Sequence, residues 1–178
     1  MESDVIKEFV ENAIYRLDES TRMISIAFDT LNEEEIWQRP NESSNSVGNL
    51  ILHLCGNITQ YAISSLGEVE DVRDRDSEFK TTLGLTKKEL LKKLLNTVSA
   101  AKSTIENMTL EQWLKKREVQ GFYFSGIGVV LHVVEHYSYH TGQIAFWAKQ
   151  LKNKQLGFYD GHDLNIKSPL TPKGGIKN

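Results

Sequence analysis

A chain of 178 residues, 39% hydrophobic and 25% charged, has the size and make-up of one globular domain with a sizeable core. Its formal net charge of −3 provides no basic face for phosphates, so no nucleic-acid partner is expected. No apolar run approaches the length of a membrane span, so no membrane partner is expected either.

The N-terminal stretch MESDVIKEFVENAIYRLDES is acidic and amphipathic, without the basic and apolar regions of a secretory signal. The single cysteine, Cys55, rules out an internal disulfide framework. Both features fit a cytoplasmic protein. Residues 4–31 carry the first helical pattern, with Val5, Phe9, Ala13, Leu17, Met23 or Ile24, Ala27 and Leu31 recurring at threes and fours. The stretch NEEEIWQRPNESSNS holds Pro40 and a polar cluster and reads as a connection.

Ser46 is placed to cap a second helix that runs to about Leu66, with Val47, Leu50, Ile51, Leu54, Ile58, Tyr61 and Ala62 inward. From Gly67 to Leu85 the chain is charged and lacks periodicity. It reads as a connection long enough, at roughly 3.3 Å per extended residue, to cross the length of a bundle. Thr86 and Glu89 form a capping box for a third helix to about Asn107, with Leu90, Leu94, Val98, Ala101 and Ile105 inward. A short helical turn at 109–114 and an extended segment near Val119 to Phe124 precede a fourth helix from about Ser125 to Leu151. Four long amphipathic helices with few strand signals predict an all-α bundle over residues 1–152. Residues 153–178 are expected to be a loop-like tail packed on or flanking it.

Of five histidines, three fall in HVVEHYSYH on the fourth helix, spaced four apart as His132, His136 and His140. Residues four apart on a helix lie about 5–6 Å from one another on nearly the same face, so either adjacent pair can chelate one ion. A pair needs a third protein ligand. His53, mid-helix in GNLILHLCGNITQ, is either a core histidine or a ligand reaching the same interior from a second helix. His162, in the loop DGHDL, reads as solvated. A competing register, HVVEH, matches the H-x-x-E-H of inverted zinc proteases and would make Glu135 the general base. It lacks a downstream glutamate as a further ligand.

The segment HVVEHYSYHTGQIAFW, with His136, His140, Gly142 and Gln143, together with a histidine on the second helix, resembles the DinB-like superfamily. WQRPNESSNSVGNLILHLCGN and RDRDSEF resemble a subgroup of it whose function is unassigned. The resemblance runs from the first helix to about Gln150. It implies a four-helix bundle with a long crossover between the second and third helices, and His53, His136 and His140 as metal ligands. It also implies homodimers, and relatives that transfer bacillithiol or mycothiol or isomerise maleylpyruvate with a thiol cofactor. His132 is extra to that triad and reads as a helix-face residue.

Three neutral imidazoles leave an open position on a divalent ion, zinc or nickel being the best suited, at which water or a thiol is activated. Hydrolysis needs a base beside that water, and none is evident, because Glu135 lies about 100° round the helix from His136. The favoured reading is therefore a metal-dependent thiol S-transferase acting on a small-molecule electrophile. A non-catalytic metal-binding bundle that serves as a stress-linked binding or dimerisation module is the alternative, and a metal-dependent hydrolase the second alternative. Asn49 and Asn57 flank His53 by one turn, and Gln143 lies one turn beyond Tyr139, so all three are candidates to orient the ligands. Their plainer reading is a polar helix face. Arg39 is a candidate for an anionic substrate or for a loop ion pair, and RDRDSEF for a structural ion-pair network. Cys55 lies about 200° round the helix from His53 and reads as a small buried hydrophobe. Trp37, Trp113 and Trp147 read as core and interface anchors.

Overall fold

Apolar residues at threes and fours build α1 (Glu2–Thr30), whose inner face carries Ala13, Leu17, Ile24, Ala27 and Phe28. The computed structural model describes residues 2–168. Val5, expected inward, is exposed, and the stripe instead begins with Ile6, Phe9 and Val10 packed against the core. The connection expected after α1 contains a short helix, α2 (Glu33–Trp37). Asn32 and Glu35 close a capping box there, and three glutamates sit in the first turn.

The second long helix is α3 (Val47–Ile58), capped by Ser46 and continued by a π-helical stretch, Thr59–Leu66. The third is α5 (Lys87–Glu106), started by the Thr86–Glu89 capping box. Between them the chain retraces the length of the bundle. At one end the Trp37 ring covers Gly48 at the head of α3, and its indole N–H donates to the Leu85 carbonyl at 3.2 Å. At the other, Gly67 lies against Thr104 near the end of α5. The helices α3 and α5 therefore run parallel, and the segment between them is the expected crossover. It is not featureless: Asp74 caps a six-residue helix, α4 (Arg75–Lys80), too short to show a period in sequence.

A single turn of helix, α6 (Leu110–Leu114), leads into a hairpin of β1 (Arg117–Val119) and β2 (Phe122–Phe124). Both turn residues, Gln120 and Gly121, take positive φ, the geometry that a two-residue hairpin turn requires. Ser125 then caps the fourth long helix, α7 (Gly126–Lys152). Helix α1 lies along α7 and α3 along α5, with α3 also meeting α7. The molecule is an all-α bundle in which α3 and α7 face each other across the core. Asn153 ends α7 in the left-handed conformation, after which Leu156 is buried and the Phe158 carbonyl accepts from Arg22 Nη1 at 3.0 Å. Positions 169–178 of the expected tail lie outside the described residues. No helix among the described residues is long and apolar enough to cross a membrane.

Candidate metal centre

The i,i+4 spacing on α7 sets the His136 and His140 rings 4.5 Å apart at their centroids. Helix α3 brings the His53 ring to 5.0 Å from each of them. One ligand atom from each of the three lies within 4.8 Å of the other two. His53 Nε2 and His136 Nε2 face each other at 2.9 Å. A tetrahedral ion with bonds of about 2.0–2.1 Å sets its nitrogens about 3.3 Å apart, so a small outward shift admits one. The three histidines are within reach of one another and could hold a divalent metal ion.

Partners on the far side of two rings prepare their Nε2 atoms. The Gln143 side-chain oxygen accepts from His140 Nδ1 at 2.7 Å, and Glu78 Oε2 accepts from His53 Nδ1 at 2.9 Å. A ring that carries its proton on Nδ1 presents a bare lone pair at Nε2. Arg73 Nη2 also lies 3.1 Å from His53 Nδ1, but one nitrogen cannot both donate and accept. Arg73 Nη2 donates to Glu78 Oε2 at 2.9 Å, which leaves the His53 proton on Nδ1.

Burial favours the neutral form of the α7 imidazoles. Burial, with added repulsion from His140, His132 and His53, pushes the His136 pKa down to about 3. Burial also lowers His140 and His132. For Glu78, burial raises the pKa, but hydrogen bonds and charge from Arg73 and His53 outweigh it and hold the carboxyl ionised below its usual range. His53 and His140 are buried, whereas His136 keeps a partly exposed edge. Phe79 tilts onto the His53 ring and Tyr139 stands edge-on to His140. Two grooves border the centre without reaching the triad. One, of about 500 Å³, touches it through Gln143, and the other, of about 430 Å³, through Arg73 and Glu78.

Other expected participants sit elsewhere. Asn49 bonds Ser46 and the carbonyls of Glu78 and Thr81, not the His53 ring. Asn57 Nδ2 pairs with His132 Nε2 at 3.3 Å rather than with a member of the triad. His132 is a half-buried ring stacked between Tyr61 and His136, not a free helix-face residue. The H-x-x-E-H register finds no support in this geometry, since His132 falls outside the converging group and Glu135 points to solvent. Arg39 donates to the Phe79 carbonyl at 2.6 Å and to Asn49 Oδ1 at 3.3 Å. His162 is exposed in its loop. Cys55 is buried and its thiol is pushed up to about 11 by that burial, as befits a packing residue. Trp113 is fully buried, and Trp37 and Trp147 pin connections through their indole N–H groups.

The residues that sequence reasoning missed are Glu78 and Arg73, the working parts of the RDRDSEF run. Their ion pair was expected, but its contact with His53 was not.

The all-helical bundle with a long crossover is the fold of solved DinB-like structures. Solved structures agree on the fold. A DinB-like protein of Bacillus subtilis, YjoA, is 17% identical over 85% of this chain and 96% of its own, with a TM-score of 0.63. A conserved protein of Enterococcus faecalis is 16% identical over 81% and 97%, with a TM-score of 0.69. A DinB-like protein of Bacillus cereus is 15% identical over 82% and 92%, with a TM-score of 0.62. A comparison with curated proteins finds no match. Residues 4–159 match the family model described as protein of unknown function (DUF1572), and the chain belongs to that family.

Proposed function

We propose that this protein is a metal-dependent enzyme that transfers a low-molecular-weight thiol, of the bacillithiol type, to a small electrophile. The observation that carries the reading is the direction of its one carboxylate. Glu78 meets the triad at His53 Nδ1, across the ring from the Nε2 that faces His136, and is committed to Arg73. A divalent ion, zinc or nickel by the ligand set, supplies a Lewis acid that keeps a thiol deprotonated without a protein base. The chain's own share is to hold His53 and His140 in the tautomer that exposes Nε2, through Glu78 and Gln143. Burial keeps His136 neutral, and Phe79 and Tyr139 form aromatic edges beside the rings. Hydrolysis would need a general base aimed at the attacking water, which disfavours the hydrolase reading.

Metal analysis of protein purified without chelator is the first test, and one bound divalent ion per chain is expected. Thiol consumption against a panel of small electrophiles is expected to require that ion and to vanish in His136→Ala and His140→Ala. The burial of His53 and His140 favours a second reading, a structural ion in a binding or dimerisation module. Cobalt-substituted protein separates the two. A visible spectrum that shifts when a small thiol is added supports the enzyme, and an unresponsive spectrum supports the module.

A further inference from the structure

One buried charged cluster has no explanation in packing. Arg73 Nε donates to Glu78 Oε1 at 2.7 Å, and Arg73 Nη1 donates to Gln60 Oε1 at 2.9 Å. Both members of the ion pair are less than a tenth exposed. Such a pair adds little to stability, because desolvation offsets the attraction. This one lies against His53.

The room for it is made by one residue. Gly56 sits three positions after His53, inside α3, where glycine weakens a helix relative to alanine. A Cβ there would fall 1.8 Å from Glu78 Oε1 and 2.9 Å from Arg73 Nε. The crossover is in turn held by polar contacts. Asn49 and Arg39 grip the carbonyls of Glu78, Phe79 and Thr81, while a groove of about 430 Å³ separates parts of the segment from α3 and α5.

We propose that Arg73 and Glu78 are positioning residues of the metal centre, carried onto His53 by the crossover, so that cation binding and crossover docking are linked. Glu78 fixes the His53 proton on Nδ1, and Arg73 fixes Glu78. Because Arg73 neutralises the carboxylate, the pair delivers orientation to the ring rather than net charge. Linkage is reciprocal, so a cation that prefers the oriented ring tightens the crossover. The inference rests on the three histidines binding a cation.

The test uses full-length, chelator-stripped protein, calorimetric titration with zinc, and nitrogen–proton NMR of the imidazoles. Zinc-free wild type is expected to show His53 as the Nδ1–H tautomer. Glu78→Ala and Gly56→Ala are expected to lose that signature and to bind zinc 10–100-fold more weakly, the usual effect of removing an outer partner of a ligand. Glu78→Gln keeps an acceptor oxygen and is expected to recover most of the affinity. Zinc is expected to slow hydrogen exchange over residues 74–81 in wild type, and much less in Gly56→Ala. Should Glu78→Ala fail to fold, Gly56→Ala decides, since it retains every charged group and every histidine. A wild type that binds no zinc removes the metal reading itself. Zinc bound equally by wild type and both alanine variants, with the tautomer unchanged, overturns the positioning role alone.

Discussion

At the residue scale, burial and neighbouring imidazoles hold the His136 pKa near 3, against about 6.5 in an unfolded chain. Between those values the unfolded chain binds a proton that the folded one refuses. Stability from this group is therefore complete above about pH 6.5 and is lost as pH falls, flattening near pH 3. His132 and His140 shift in the same direction and add to the slope. Each contributes at most about 1.4 kcal/mol per pH unit. Melting of metal-free protein from pH 7.5 to 4.5 is expected to show a falling midpoint, and His136→Gln a shallower fall. An equal slope in the two would contradict the depressed titration. The histidines of α7 were legible because helical spacing alone puts them on one face. Glu78 was not: it lies 25 residues from His53 in a run with no period. The trace it left in sequence is Gly56, a helix-weakening residue one turn from a histidine, which marks a close approach.

At the element scale, the crossover and α3 are joined through Asn49. Its amide nitrogen donates to the carbonyls of Glu78 and Thr81 at 2.9 and 2.6 Å, and its oxygen accepts from Ser46 Oγ at 2.8 Å. Asn49 is wholly buried, so Asn49→Ala strands two carbonyls and a cap partner. At about 1–3 kcal/mol for a buried group left unpaired, a loss of about 2–4 kcal/mol is expected in urea unfolding. A change below about 0.5 kcal/mol would show that the crossover docks by other means. The cap at Ser46 and the capping box at Thr86 made the starts of α3 and α5 readable from the sequence. The π-helical turn after Ile58 was not readable, because it has no compositional signature. It carries Tyr61 beneath the His132 ring at a centroid distance of 4.0 Å, which is why His132 proves half-buried. The helices α2 and α4 were missed for a different reason. Five or six residues cannot display a 3.6-residue period, and only their caps announce them.

At the scale of the whole molecule, His53 on α3 and His136 and His140 on α7 meet across the core, and Glu78 ties in the crossover. A cation at their meeting point therefore bridges segments far apart in sequence, and it can do so only in the folded chain. With one cysteine and five histidines, the unfolded chain offers few competing ligands. Binding then adds RT ln(1 + [M]/Kd) to stability, about 2.7 kcal/mol at a hundredfold excess over Kd. For a chain of this size, each kcal/mol moves the midpoint by about 2–4 °C, so saturating zinc is expected to raise Tm by roughly 5–10 °C. Scanning calorimetry of stripped and zinc-loaded protein checks this. The shift is expected to collapse in His53→Ala as fully as in His136→Ala, because removing either helix's contribution leaves a set that no longer closes the bundle. A shift that survives His53→Ala would locate the ion on α7 alone, and α3 would then take no part in holding it.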